Sequence, residues 1–346
     1  LHKERIVKVL IAEDDPVSRK ILEKKLSDWG YEVVSTTSGK EAWKALHRPD
    51  SPRLAVLDWM MPEMEGVEIC KRIRKSPGEF YVYILLVTAK TQKRDLIEAM
   101  EAGADDYLTK PFDFYELRLR LRAGERILKL QETLMATQEA LRFQATHDPL
   151  TGLWNRSAII DMLEIELSRA RRQGSSIGLI MGDLDHFKKI NDTYGHVVGD
   201  KVLRVAAQRL SSSVRPYDYI GRYGGEEFLI LLPGCQHEDL LGVAERLRKS
   251  INESPITINE EKRLSFSISL GAATVDPVGD FQVDQLIKLV DVALYRAKSL
   301  GRNRVEVANE EDFRGLYNEG VTSSSRKGTR RRSPQRPNAK VSAQHR

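Results

Sequence analysis

The sequence predicts an α/β chain in two parts, a doubly wound domain in front and an α+β domain behind, joined by one long helix. Three observations predict it. Over residues 5–125, short β-rich apolar runs alternate with amphipathic stretches, the grammar of strands and helices around a parallel sheet. From Phe114 to Gln144 there is no proline and a single glycine, Gly124, among many Leu, Arg, Glu and Ala. Further on, the apolar runs Tyr219-Ile220 and Phe228 to Leu232 flank Gly224-Gly225-Glu226-Glu227, the pattern of an antiparallel hairpin. At 346 residues the chain can bury two cores.

Composition excludes several classes. No apolar run reaches the ~18–20 residues of a membrane span, and Leu1 to Arg5 lacks the apolar core of a signal peptide, so a cytoplasmic protein is expected. Cys70 and Cys235 fall in separate domains, which leaves neither a disulfide framework nor a Cys-based zinc site. The seven histidines form no HxxxH pair. The formal charge of +5 belongs to the end of the chain: residues 321–346 hold eight Lys or Arg and no acid, while residues 1–320 carry 47 basic against 50 acidic groups.

The first domain's strands are expected at Val7 to Ala12, Tyr31 to Val34, Leu54 to Asp58, Tyr83 to Thr88 and Asp106 to Thr109. In a doubly wound sheet the ligand site lies beyond the carboxyl ends of the strands. Asp14, Asp15, Asp58, Thr88 and Lys110 all occupy such ends. Each has a plain structural alternative: Asp14-Asp15 as a helix N-cap pair, Lys110 as a solvated charge, Tyr107 as core.

Residues 5–125 resemble a response-regulator receiver domain of flavodoxin-like fold, through Asp14-Asp15, Leu57-Asp58-Trp59-Met60-Met61-Pro62, Val87-Thr88-Ala89 and Leu108-Thr109-Lys110-Pro111-Phe112. The resemblance implies that Asp58 takes a phosphoryl group from a cognate histidine kinase. It further implies that Asp14, Asp15, Asp58 and the Met60 carbonyl hold Mg²⁺. Thr88 and Lys110 would contact the phosphoryl oxygens, and Tyr107 would turn inward when Thr88 moves. Clustered carboxylates repel unless a hard cation neutralises them, which agrees with the metal.

The connecting helix is expected over 114–146. Ile127, Leu130, Leu134, Thr137 and Leu141 repeat at spacings of three and four, a seam for a coiled coil with a second copy. A helix packing only on its own domains is the alternative.

The turn His147 to Arg156 opens the second domain. A strand over Ile177 to Asp183, helices near 238–252 and 283–299, and a strand over Arg263 to Thr274 follow the same reading. The glycine pair is expected to supply the positive φ angles of a two-residue turn and to let phosphates or a base approach the backbone.

Residues 146–308 resemble a GGDEF-type diguanylate cyclase domain, in the GGEEF variant. The motifs are Asp148-Pro149-Leu150-Thr151-Gly152-Leu153, Asp183-Leu184-Asp185-His186-Phe187-Lys188, Asn191-Asp192, Gly199-Asp200, the hairpin and Gly301-Arg302-Asn303-Arg304. The resemblance implies a palm-like α+β fold, and condensation of two GTP into cyclic di-GMP by a homodimer. Asp183, Glu226, the Leu184 carbonyl and Glu227 would hold Mg²⁺, with Mn²⁺ as an alternative, and Glu226 would help activate the attacking hydroxyl. Asn191 and Asp200 would read guanine. Gly224 and Gly225 would approach the nucleotide, and Lys188, Lys298 and Arg302 would meet phosphates. Arg215-Pro216-Tyr217-Asp218 resembles the family's inhibitory RxxD, with Arg246 as a secondary position, so cyclic di-GMP is expected as inhibitor as well as product.

Residues 319–346 read as a disordered basic tail that attracts polyanions by nonspecific charge or serves no function. Two other function classes compete. A catalytically weak module that binds GTP or cyclic di-GMP is disfavoured by the intact Asp183, Glu226 and Glu227. A transcriptional regulator is disfavoured by the absence of any helix-turn-helix or other DNA-reading pattern, so no specific nucleic acid partner is expected.

Overall fold

The computed structural model of the chain describes residues 7–75, 81–258, 262–275 and 281–314, and the chain divides into two compact units between Leu141 and Arg142. The tail expected over 319–346 lies outside the described residues. Among those residues no helix is long and apolar enough to cross a membrane.

The first unit runs β1 (Lys8–Ala12), α1 (Pro16–Asp28), β2 (Glu32–Thr36), α2 (Gly39–Leu46), β3 (Leu54–Asp58), α3 (Gly66–Lys75), β4 (Tyr83–Thr88), α4 (Lys93–Glu101), β5 (Asp106–Thr109) and α5 (Phe114–Thr146). Its sheet is parallel throughout, in the order β2-β1-β3-β4-β5. Alternate residues point to opposite faces, so Leu10, Leu57, Ile84 and Leu86 pack on one side and Val9, Ile11, Leu85 and Val87 on the other. Both faces are covered, which is why β3 and β4 are buried end to end and read as continuous apolar runs. The strand order reverses between β1 and β3, and the crevice outside their carboxyl ends is where such sheets bind ligands.

Helix α5 carries two apolar stripes. Leu117, Leu121, Gly124 and Leu128 are buried, and the glycine has a steric reason: a Cβ there would lie 2.6 Å from the Tyr83 ring and 2.9 Å from Leu54. The predicted seam is the other stripe. Ile127, Leu130, Leu134, Thr137 and Leu141 are all exposed.

The second unit runs α6 (Arg156–Gln173), β6 (Ile177–Leu184), α7 (Phe187–Tyr194), α8 (His196–Ser212), β7 (Tyr219–Gly224), β8 (Glu227–Pro233), α9 (His237–Asn252), β9 (Ile256–Thr257), β10 (Arg263–Leu264), β11 (Ile268–Val275), α10 (Val283–Ser299) and β12 (Val305–Val307). Its main sheet has the order β12-β11-β6-β8-β7, antiparallel except where β12 joins β11. Helices α7, α8 and α9 cover one face, α6 and α10 the other. The strand expected over Arg263 to Thr274 is two strands, because β10 pairs with β9 instead. Between them Ser267 leaves any ladder and donates its hydroxyl to Asp185 at 2.6 Å, while its carbonyl accepts from the Asp185 N–H at 2.9 Å.

Candidate functional site

At the crevice of the first unit, Glu13, Asp14 and Asp58 each offer an oxygen, all within 4.8 Å of one another. Asp58 ends β3 and is buried. Just past β5, Lys110 places Nζ 2.6 Å from Asp58 Oδ2 and 2.8 Å from Glu13 Oε2. Burial pushes the Glu13 carboxyl up against the pull of Lys110. Burial draws the Lys110 ammonium down, but Asp58 and Glu13 outweigh it and hold the lysine above its ordinary value. The Met60 N–H donates to Asp58 Oδ1 at 3.2 Å. Thr88, buried at the end of β4, accepts from the Lys90 N–H at 3.0 Å. Tyr107 on β5 is half-buried, with the Arg120 guanidinium 5.9 Å from its ring.

Asp15 is a correction. It caps α1, its carboxylate accepting from the Ser18 N–H at 2.7 Å, and it stands outside the acidic group. Glu13 takes the place expected of it. The signal was Pro16, since a proline opening a helix makes the preceding residue the N-cap and moves the site pair back to Glu13-Asp14. Three clustered oxygen donors fit a hard divalent cation such as Mg²⁺.

The second unit gathers its acids where β6, β7 and β8 end together. Asp183 on β6 stands opposite Glu227 on β8, with Ser269 of β11 on its other flank. The turn joining β7 to β8 is Gly225-Glu226, closed by the pair Gly224 and Glu227 after a register shift at Arg222/Gly224. This corrects the expected Gly224-Gly225 turn. Neither glycine lies in the left-handed region, and Glu226 sits in the turn itself. The Leu184 N–H donates to the Glu226 carbonyl at 3.2 Å, pinning the turn to the end of β6. Arg222 braces it from the other side: Nε and Nη2 donate to the Gly225 carbonyl at 3.0 and 2.7 Å, and Nη1 reaches Asp148 Oδ2 at 3.1 Å.

Burial pushes the Asp183 carboxyl up, opposed by the Lys298 ammonium 2.8 Å from Oδ2. Burial, reinforced by the Asp183 charge, also pushes Glu226 and Glu227 up. Three acids that each resist ionisation, all with hard oxygen donors, fit a divalent cation. They are less tightly drawn together than Glu13, Asp14 and Asp58, the one such group among the described residues.

A family model described as "Response regulator receiver domain" matches residues 9–122, and one described as "Diguanylate cyclase, GGDEF domain" matches residues 145–304. The chain joins a receiver domain to a GGDEF domain. It is similar to Response regulator PleD of Caulobacter vibrioides, 33% identical over 253 residues that cover 73% of this chain and 56% of PleD. Diguanylate cyclase DgcP of Pseudomonas aeruginosa is 41% identical over 197 residues, covering 56% of this chain and 29% of DgcP. The chain therefore spans little more than half the length of PleD and under a third of DgcP. A solved structure of the coiled coil and GGDEF domain of DgcB from Caulobacter crescentus, in complex with c-di-GMP, is matched with a TM-score of 0.50 at 31% identity, over 57% of this chain and 100% of that one.

The remaining expected residues of the GGDEF domain lie on other elements. Asn191 lies on α7 and Asp200 on α8; a Cβ at Gly199 would fall 1.9 Å from Asn191 Oδ1, so the glycine makes room for that amide. Lys188 and Arg302 are exposed, and Arg302 lies in the left-handed region at φ 62°. At the opposite end of β7 from the turn, roughly 20 Å along the strand, Arg215 and Asp218 line a small cleft with Pro233, Cys235 and Asp239. The Arg215 N–H donates to Asp218 Oδ2 at 2.8 Å, and Arg246 Nε donates to the Ser213 carbonyl at 3.0 Å.

Two supports escaped the sequence reading. Asp185, two residues after Asp183, is buried and accepts from the Ser267 and Ser269 hydroxyls at 2.6 Å each and from the Asn303 N–H at 3.0 Å. The Asp148 to Arg222 clamp joins motifs far apart in sequence. Neither has a signal in spacing alone.

Proposed function

We infer that the chain is a phosphorylation-regulated diguanylate cyclase, restrained by its own product. The observation that carries the reading is the turn of the GGDEF domain, where Glu226, its neighbour Glu227 and the facing Asp183 converge at strand ends. These carboxylates and the Leu184 carbonyl would hold Mg²⁺ or Mn²⁺; when bound, the ion offsets charge on the triphosphate and eases ionisation of the attacking hydroxyl. Asn191 and Asp200 face the guanine edge with donors and an acceptor. Lys298 leaves Asp183 for a phosphate oxygen, joined by Lys188 and Arg302. Each GGDEF domain holds one GTP, so two copies must meet. In each of two reactions a 3′-oxygen bonds to the partner GTP's α-phosphorus, the bond to pyrophosphate breaks, and the hydroxyl proton leaves with help from Glu226. The exposed seam of α5 is the surface that brings two copies together, a role supported by the coiled coil in the DgcB structure.

In the receiver, Asp58 accepts a phosphoryl group from a histidine kinase. Lys110 pairs with its charge and Thr88 with its oxygens, Tyr107 turns inward, and Glu13, Asp14, Asp58 and the Met60 carbonyl would hold a second Mg²⁺. Cyclic di-GMP returns to Arg215, Asp218 and Arg246.

Incubation with Mg²⁺ and GTP followed by nucleotide chromatography tests the reading. Wild type yields cyclic di-GMP, while Glu226→Gln and Asp183→Asn fall to background yet stay folded. Most of the turnover surviving in Glu226→Gln would move the chemistry elsewhere, and nucleotide binding with no product from wild type would make the chain a binding module. Arg215→Ala should raise the product concentration for half-inhibition about tenfold or more, the loss of one charge-assisted contact, with little change in initial rate.

A further inference from the structure

The GGDEF domain has another opening, at the end of its sheet away from the carboxylate turn. A cleft of about 430 Å³ lies between the last half of α6, the start of β6 and the loop after β8, lined by Glu166, Arg169, Gln173, Ser175, Ser176 and Pro233. Asp183 is at the far end of β6, roughly 20 Å away along the strand.

Glu166 is the unusual member, with only 3% of its side chain exposed. A buried carboxylate is costly unless a cation or several donors meet it. Arg169 Nη1 meets Glu166 Oε1 at 2.6 Å, and the Tyr219 hydroxyl lies 3.3 Å from the same oxygen. The pair is lopsided. Arg169 is one turn further along α6, its side chain 50% exposed, on a long flexible stem at the rim of the cleft. A solvent-facing cation thus covers a buried anion.

The rest of the lining also favours a cation. Helix α6 ends here, with Gly174 left-handed at its C-cap, so the negative end of the helix dipole lies at the cleft. Gln173 and Ser175 add acceptors, while the Ser176 hydroxyl is already committed to the Cys235 carbonyl at 3.0 Å. A space of this size is in the range of small-molecule sites.

We propose that this cleft binds a small guanidinium compound, whose planar fork displaces Arg169 from Glu166. Arg169 is the internal stand-in for that ligand. Guanidinium is favoured over ammonium because the carboxylate already holds one, and because a rigid fork of donors matches carboxylate geometry where a point charge does not. The inference does not rest on the cyclase reading, since it concerns binding at a separate place.

Isothermal titration of the full chain with agmatine, and with putrescine as the diamine that lacks the guanidinium, tests it. Agmatine is expected to bind at one site per chain, and putrescine at least about tenfold more weakly. Arg169→Ala should tighten agmatine about tenfold, because the internal competitor no longer has to be displaced. Glu166→Gln should abolish the binding. Should Glu166→Gln fail to fold, the contrast between ligands in Arg169→Ala carries the test: loss of a positive charge favours both amines alike, and only a guanidinium site keeps agmatine at least about tenfold ahead of putrescine. The proposal is overturned if neither wild type nor Arg169→Ala takes up agmatine, if putrescine binds equally well, or if binding survives in folded Glu166→Gln.

Discussion

At Arg222 a single guanidinium ties the Gly225 carbonyl, in the turn that carries Glu226, to the Asp148 carboxylate. Burial acts to raise the Asp148 carboxyl, but hydrogen bonds from Thr151 and the Arg222 charge outweigh it and hold the group below its ordinary value. A lowered folded-state pKa contributes stability above the unfolded-state pKa and loses it as pH falls through the folded one. Asp148→Asn should therefore cost about 1.5–3 kcal/mol at neutral pH, and the difference should shrink below about pH 4. Urea unfolding of both proteins at the two pH values measures this. Glu226 has the opposite sign. Burial and the Asp183 charge raise it, so in metal-free protein it costs stability at neutral pH and the cost fades on acidification. Metal-free Glu226→Gln should melt above wild type at neutral pH and level with it in acid, a comparison that separates loss of chemistry from loss of fold. The placement of Asp58 and Asp183 at strand ends was legible because each closes an apolar run, and that of the glutamate pair at a turn because it precedes one. Glu13 was not, because three acids in a row leave the register open until the cap is fixed, and Asp185 was not, because its partners Ser267 and Ser269 come from a distant stretch of the chain.

Among the elements, α5 shows how one helix can carry two messages. Its buried stripe packs on the receiver sheet through Gly124, so Gly124→Ala must push Tyr83 aside. The gain in helix propensity, about 1 kcal/mol, is smaller than the usual overpacking cost of about 1–3 kcal/mol. The variant should lose stability, as a denaturant midpoint would show; a gain would mean the contact relaxes freely. The exposed stripe predicts the reverse. Leu130→Ala with Leu134→Ala should leave unfolding of the chain unchanged at low concentration while weakening self-association in light scattering. Sequence periodicity showed the exposed seam but not the buried stripe, since a helix apolar on two sides satisfies two spacings at once and a glycine in the register looks like a gap. The hairpin was legible as a hairpin and misread as a turn, because two glycines suit a left-handed bend and nothing local announces the shift between Arg222 and Gly224.

For the whole molecule, the two domains make a testable pair. Beryllofluoride, which mimics an acyl phosphate, should raise cyclic di-GMP synthesis in wild type and do nothing in Asp58→Ala. The effect should be largest at low protein concentration, because tethering supplies an effective concentration that can approach the millimolar range. A dilution series with light scattering checks it, and unchanged activity and mass with the mimic bound would break the link while sparing the cyclase reading. The doubly wound and palm-like halves were readable from alternation and turn chemistry, whereas the break at Ser267 was not, because it depends on β10 pairing with β9 and on the bond from Ser267 to Asp185. One further consequence lies in the two lysines. Lys110 sits on Glu13 and Asp58, and Lys298 on Asp183, so each acidic centre carries its own resident counter-charge. Removing divalent ions with EDTA should then silence the protein while it stays folded, its melting temperature falling only by what the lost binding contributes, unlike domains that unfold when their metal is taken away. On the proposed function, the ion would be a signal the folded chain can wait for, and magnesium supply would join phosphate and product among its inputs.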